Sequence, residues 1–346
     1  MSARSAEPRR ATSALPPAGP AWAGSLMGIS IAATLSHVHG TRLGSAPLTY
    51  LSYAFLAAAT CVFFVLTVGF LRHRNPAFAQ PFMAPWGMAV MGTLALGSAW
   101  TTATGSVWPQ AVSWLLATPV GFVVGVWQLR RFIGEPQFLW GLALVTPMVS
   151  ATSGAQLAGS AQIPEWLHTP IWAVALACFA FSFVTAVPLF AYLYFQLRRR
   201  RLHIPPQLAG TNWIPLGVVG QSTAAAIILT NDSRFSAVGI GYGVAMLAVG
   251  IAPAVYAAYK YWSATLHWPT YTPGWWGATF PVGTLCLGTH TLGTSTATAW
   301  LDVVSVAFLV VLALHIAIAT AGALSALLLR KRDFVGAPGE NRTPTS

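Results

Sequence analysis

Apolar residues along this chain neither alternate strictly nor collect on short amphipathic faces. They run in stretches of twenty or more, broken by short segments that carry the arginines, prolines and glycines. A helix rising 1.5 Å per residue needs about 20 apolar residues to cross roughly 30 Å of hydrocarbon. By that measure the chain predicts ten spans, near 20–38, 46–71, 85–103, 110–132, 139–160, 168–197, 211–231, 237–262, 275–297 and 300–329. The expected fold class is an all-α integral membrane protein with ten transmembrane helices, joined by short connections into five helical hairpins.

Composition supports lipid as the solvent. The chain has 346 residues, is 55% hydrophobic and 7% charged, and has a mean hydropathy of +0.62; soluble domains carry about 25% charged residues. A net charge of +11 raises nucleic acid as a partner, but no polar basic module exists to bind it. The position of the basic residues says more than their number. With the amino terminus in the cytoplasm, sixteen lysines and arginines fall in cytoplasmic segments, while Arg42 and Arg234 alone fall outside. That distribution follows the positive-inside rule and requires an even number of spans. Residues 1–19 read as a cytoplasmic tail without fixed structure, 20–330 as the membrane domain and 331–346 as a second cytoplasmic tail. The expected location is the plasma (inner) membrane, with the lipid bilayer as a partner.

The odd-numbered spans share a pattern. Each begins on the cytoplasmic side with a Trp closely followed by a Gly: Trp22 and Gly24, Trp86 and Gly87, Trp140 and Gly141, Trp213 and Gly217, Trp276 and Gly277. Five similar hairpins are implied. The same spans carry Gly28, Gly92, Pro147, Pro215, Gly217, Gly220, Pro281 and Gly283, expected to bare or kink the backbone at mid-membrane, where only protein or a water-filled cavity satisfies it. The odd helices are therefore expected to line a central path. Their polar side chains are small and neutral, among them Ser30, Thr34, Ser98, Thr152, Gln221 and Thr284. Such groups hydrogen-bond a passing anion without trapping it, and no Asp, Glu, Lys or Arg falls near the middle of a span to act as a fixed counter-charge. The arginine-rich rim would concentrate anions at the inner mouth. The path is thus expected to serve a small anion.

Other chemistries find less support in the sequence. Cys61, Cys178 and Cys286 are isolated in apolar stretches with no metal or redox spacing, and no metal or cofactor is expected. The alternative considered is a membrane redox protein with haem held by intramembrane histidines, the candidates being His290, His315, His37 and His39. His290 is also a candidate pore-lining group for proton coupling. A hydrolase is not expected, because no acid falls near a Ser or His inside the spans, and the chain is read as a non-enzyme.

The segment Pro273 to Thr284, PGWWGATFPVGT, resembles the Trp-Trp-x-x-Ser/Thr-Phe-Pro signature of the tellurite-resistance and dicarboxylate transporter family, which includes the plant slow-type anion channels. LMGISIAATL in span one and LALVTPMVSATSGAQLA in span five resemble the fungal branch of malate permeases and sulfite efflux pumps, with Ser30 in place of that branch's second Gly. The resemblance implies five hairpins in a ring around a central pore, odd helices innermost, and often a homotrimer. It also implies that Phe280 obstructs the pore as a gate, next to Pro281 and the flexible Gly277 and Gly283. The substrates it implies are sulfite, a C4-dicarboxylate such as malate, or inorganic monovalent anions.

Overall fold

A computed structural model describes residues 15–79, 83–231 and 233–335. Most of both tails, including Arg4, Arg9, Arg10 and Arg342, lies outside the described residues. These hold ten α-helices and no strand: α1 (Ala23–Arg42), α2 (Ala46–His73), α3 (Met83–Thr104), α4 (Trp108–Arg130), α5 (Trp140–Ala158), α6 (Glu165–Arg198), α7 (Ile214–Thr230), α8 (Ser236–Thr265), α9 (Thr279–Thr296) and α10 (Ala299–Val335). Short 3-10 segments, Pro20–Trp22, Pro206–Trp213 and Pro273–Ala278, lead into α1, α7 and α9.

Each odd helix packs along the even helix that follows it, which gives five hairpins. The odd helices also pack in order, α1 on α3, α3 on α5, α5 on α7, α7 on α9, and α9 back on α1, and so close an inner ring. Burial separates the two layers. In the most apolar stretch of Pro206–Thr230, which includes α7, 89% of residues are buried, against 17% in α2 and in α8. Outer helices present Val, Leu and Phe to lipid; inner helices meet protein all round, so their sequences are free to carry Gly, Ser and Thr. Seven helices are long and apolar enough to cross a membrane, and the three that are less apolar, α3, α5 and α9, all belong to the inner ring.

The prolines are placed differently from expectation. Pro215 and Pro281 lie in the first turns of α7 and α9, where the missing N–H has no intrahelical acceptor to lose, so they start these helices and do not kink them. Among the odd helices only α5 holds a proline in its interior, Pro147, while α4, α6 and α8 hold Pro119, Pro170, Pro188 and Pro253. Interior prolines therefore do not distinguish the inner ring.

Glycines bring the inner helices together, and Gly121, Gly125 and Gly239 make equally close contacts from even helices. A Cβ on Gly28 would lie 2.2 Å from Thr279 Oγ1, one on Gly92 would lie 2.9 Å from Leu26, and one on Gly283 would lie 2.6 Å from Ile31. Small residues let inner helices approach closely in a setting where lipid gives no hydrophobic drive to pack them.

Candidate functional site

The inner ring encloses a cavity of about 60 Å³. All five odd helices line it and no even helix does. Its polar lining is Thr34 of α1, Ser98 of α3, Thr152, Ser153 and Gln156 of α5, and Gln221 of α7; Phe280 and Leu287 of α9 and Leu35 of α1 supply the main apolar surface. No charged side chain borders it. The seven steps from Phe280 to Leu287 rise about 10 Å along α9, so Phe280 bounds the cavity toward the arginine-rich end and Gln156, near the end of α5, bounds it toward the other.

Several of these polar groups are loosely committed. Thr34 Oγ1 donates to the Ser30 carbonyl at 3.4 Å, and Thr152 Oγ1 lies 3.3 Å from the Met148 carbonyl and 3.4 Å from that of Gln221. All are at the weak end of the range. Gln221 is buried, and its Oε1 has no hydrogen-bond partner among the described residues; the same is true of Ser30 Oγ and Ser150 Oγ on the same helices. Gln156 is better anchored, its Oε1 accepting from Gln110 Nε2 at 2.7 Å, and Gln110 Nε2 also reaches Ser153 Oγ at 3.1 Å. Gln110 and Leu287, with Ser153 and Gln156, were not singled out in the sequence. The one available signal was their phase: Thr152, Ser153 and Gln156 fall on one face of α5.

Phe280, 4% exposed, is the second residue of α9. Thr279 Oγ1 donates to the Trp276 carbonyl at 2.8 Å and Thr284 Oγ1 to that of Pro281 at 2.8 Å, so both threonines secure the helix start and neither hydroxyl is free. Trp276 Nε1 in turn donates to the Tyr271 hydroxyl at 3.0 Å, and burial pushes Tyr271 up to about 12, which keeps it neutral. Gly277 and Gly283 do not stand in open space: a Cβ on Gly277 would meet Gly210 at 3.3 Å, and Gly283 faces Ile31. These glycines make contacts, and the backbone around Phe280 is held. Of the positions expected in the path, Thr34, Ser98, Thr152, Gln221 and Phe280 border this cavity, while Gly28, Gly92, Gly220 and Gly283 are helix contacts and Ser30, Pro147, Pro215, Gly217, Pro281 and Thr284 lie off its wall.

His290 also lies away from the cavity. It sits where α1, α9 and α10 meet at the arginine-poor end, with its Nδ1 3.5 Å from Arg42 Nη1 and 3.8 Å from Asp302 Oδ1, while Arg42 and Asp302 form a salt bridge. Asp302 thus comes near a histidine, contrary to expectation, because the ring closes α10 onto α9. It makes no hydrolytic relay: the nearby serine, Ser305, bonds the other histidine, His39 Nε2, at 3.0 Å. Arg42 is 40% exposed, so the pair is screened. Arg42→Ala is expected to cost less than about 1 kcal/mol, a loss that shrinks further in high salt; thermal unfolding at two ionic strengths measures it.

His39, His290 and His315 do not fit haem. His39 and His290 have ring centroids 5.1 Å apart in an edge-to-face contact, and His315 is enclosed by Tyr261, Trp213 and Trp262 at 4.3 to 5.3 Å. Neither arrangement leaves room for a porphyrin plane.

A closed inner ring with a neutral, hydrogen-bonding cavity and a basic rim at one end defines a membrane channel or permease for anions. The chain belongs to the voltage-dependent anion channel family, whose description matches residues 18–324. This is the family of the tellurite-resistance and dicarboxylate transporters, and its members are transporters or channels, not enzymes. No curated protein and no solved structure matches the chain.

Proposed function

We propose that the cavity inside the odd-helix ring is the narrow part of an anion pathway, and that Phe280 is the side chain that obstructs it. The observation that carries this reading is that the five inner helices together enclose one small uncharged cavity with Phe280 at its arginine-rich end. Because Gly277 and Gly283 are packed, opening falls to rotation of the Phe280 side chain and not to a backbone hinge.

The uncharged lining favours a small inorganic monovalent anion. A path with no fixed positive charge leaves dehydration largely uncompensated, and that cost falls most heavily on divalent ions. Chloride or nitrate should therefore pass more readily than sulfite, and sulfite more readily than malate. Flux into proteoliposomes of each anion, with and without a pH gradient, tests the order. Malate carried faster than chloride would overturn the assignment, and acceleration by the gradient would make the protein a coupled carrier.

Gln221 is the polar side chain on which passage should depend most, being buried at mid-path with an unpartnered oxygen and an amide NH₂ as donor. A hydrogen bond to a charged partner contributes about 1.5–3 kcal/mol, so Gln221→Leu is expected to lower chloride flux roughly ten-fold or more at unchanged expression.

The arginine-rich end is read as cytoplasmic, with both termini there and residues 20–330 as the transport unit in a plasma (inner) membrane. Arg72, Arg74, Arg130, Arg131 and Arg198 to Arg201 at that end support this by the positive-inside rule. Family resemblance supports three chains per assembly, each with its own path. Native mass spectrometry of the detergent-extracted protein tests the number.

A further inference from the structure

A large opening toward the lipid lies on the far side of α9 from the pathway. It is a groove of about 680 Å³ with α8 and α10 as walls and α9 as its floor. Leu285, Thr289 and Leu292 form that floor, each 3% exposed or less. Helix geometry places them opposite the pathway: Leu285 faces the groove and Leu287, two residues and about 200° further round the helix, faces the cavity. Thr289 is nine residues, about half a turn in phase, from Phe280. One inner helix therefore separates the groove from the proposed anion path.

We propose that this groove is a binding site for one acyl chain of a phospholipid in the arginine-poor leaflet. Two observations select that occupant. The groove runs from Leu285 to Thr296 on α9 and from Val244 to Val255 on α8, in each case eleven steps or about 16 Å, which is half of a hydrocarbon core roughly 30 Å thick. It is thus as long as one leaflet is deep. Its outer end is marked by Trp300, 65% exposed, at the level where an indole meets ester carbonyls, and by the hydroxyls of Thr296 and Thr298; the inner end, around Leu285 and Phe308, is wholly apolar. A site with one polar end and one apolar end matches a lipid tail below its ester. The binding claim stands on the groove alone; any effect of the lipid on flux, through the back of α9, rests on the reading of the anion path.

Proteoliposomes containing a phospholipid with a photoreactive diazirine in its acyl tail test the site. After illumination, label mapped by peptide mass spectrometry should concentrate on residues 244–255, 285–296 and 300–308 relative to α2 and α6, which report ordinary boundary lipid. Ala248→Phe and Val304→Phe, which fill the groove from its two walls and touch no cavity residue, should cut that label roughly ten-fold each while leaving label on α2 and α6 unchanged. The unchanged α2 and α6 label also shows that the variants have folded. Equal labelling of all outer helices would overturn the proposal, as would cross-links joining groove residues of two chains, which would make this face a subunit contact. Labelling needs no anion flux, so failure here leaves the pathway reading untouched, and failure of the flux assays leaves this site standing.

Discussion

Phe280→Ala raises anion flux at least ten-fold, equivalent to taking about 1.4 kcal/mol or more off the barrier to passage. The ring bounds the 60 Å³ cavity at its arginine-rich end, and removing it joins that cavity to the space beyond. The same substitution carries a stability cost, because Phe280 is 4% exposed and a fully packed Phe→Ala change costs about 3–5 kcal/mol. One face of the ring already borders a void, which puts the cost at or below the lower end. The two effects separate the readings. A gate gives higher flux with a modest loss of thermal stability, whereas a packing residue gives the loss alone. Phe280→Leu should fall between wild type and Ala, and Phe280→Trp should pass no more anion than wild type. Chloride efflux from proteoliposomes at matched protein density, with thermal unfolding on the same samples, decides the matter.

Gly220→Ala is expected to remove most folded protein. A Cβ there would lie 2.2 Å from the carbonyl carbon and oxygen of Thr284 and 2.4 Å from the backbone nitrogen of Leu285. Every obstacle is backbone, so no rotamer change makes room and α7 must move away from α9. From the other side, Gly288 faces the Gly220 oxygen at 2.6 Å, so the two helices touch backbone to backbone. Overpacking costs about 1–3 kcal/mol where side chains can yield, and more where they cannot. Gly217, one turn away on α7, is the internal control: its Cβ would stand 3.8 Å from Pro281, an ordinary contact, so Gly217→Ala should leave the melting temperature essentially unchanged. Monodisperse yield and melting temperature of the two variants measure the contrast. A stable Gly220→Ala protein would mean that α7 and α9 do not touch backbone to backbone, and the position assigned to Phe280 would move with them.

Particular residues show why the sequence was informative to a certain depth. The tryptophans at 22, 86, 140, 213 and 276 do stand at the starts of the five inner helices, a boundary that recurs with every hairpin, although Trp213 and Trp276 are buried in protein there. Pro215 and Pro281 misled, since a proline near a span boundary has the same sequence signature whether it kinks a helix or begins one. Only the actual helix start, after the 3-10 segments Pro206–Trp213 and Pro273–Ala278, tells the two apart. The glycines were legible as important but not in role: bared backbone for a path and close approach for packing use the same residue. His290 shows a further limit. It lies on the same span as Phe280, yet faces Arg42 and Asp302, residues 248 positions before it and 12 after it, and its surroundings exist only once the first and last hairpins meet.

The sequence by itself determined membrane residence, ten crossings, their pairing into hairpins and the family, because hydrophobic length, charge placement and a local signature are properties of contiguous residues. The tertiary structure alone decided that the odd helices close into a ring, that Thr34, Ser98, Thr152, Gln156, Gln221 and Phe280 border one cavity, and that α9 lies between that cavity and a groove open to lipid. Those facts depend on the rotation of each helix about its axis. Backbone contacts such as Gly220 on Thr284 set that rotation, and neither member of such a pair reveals it alone.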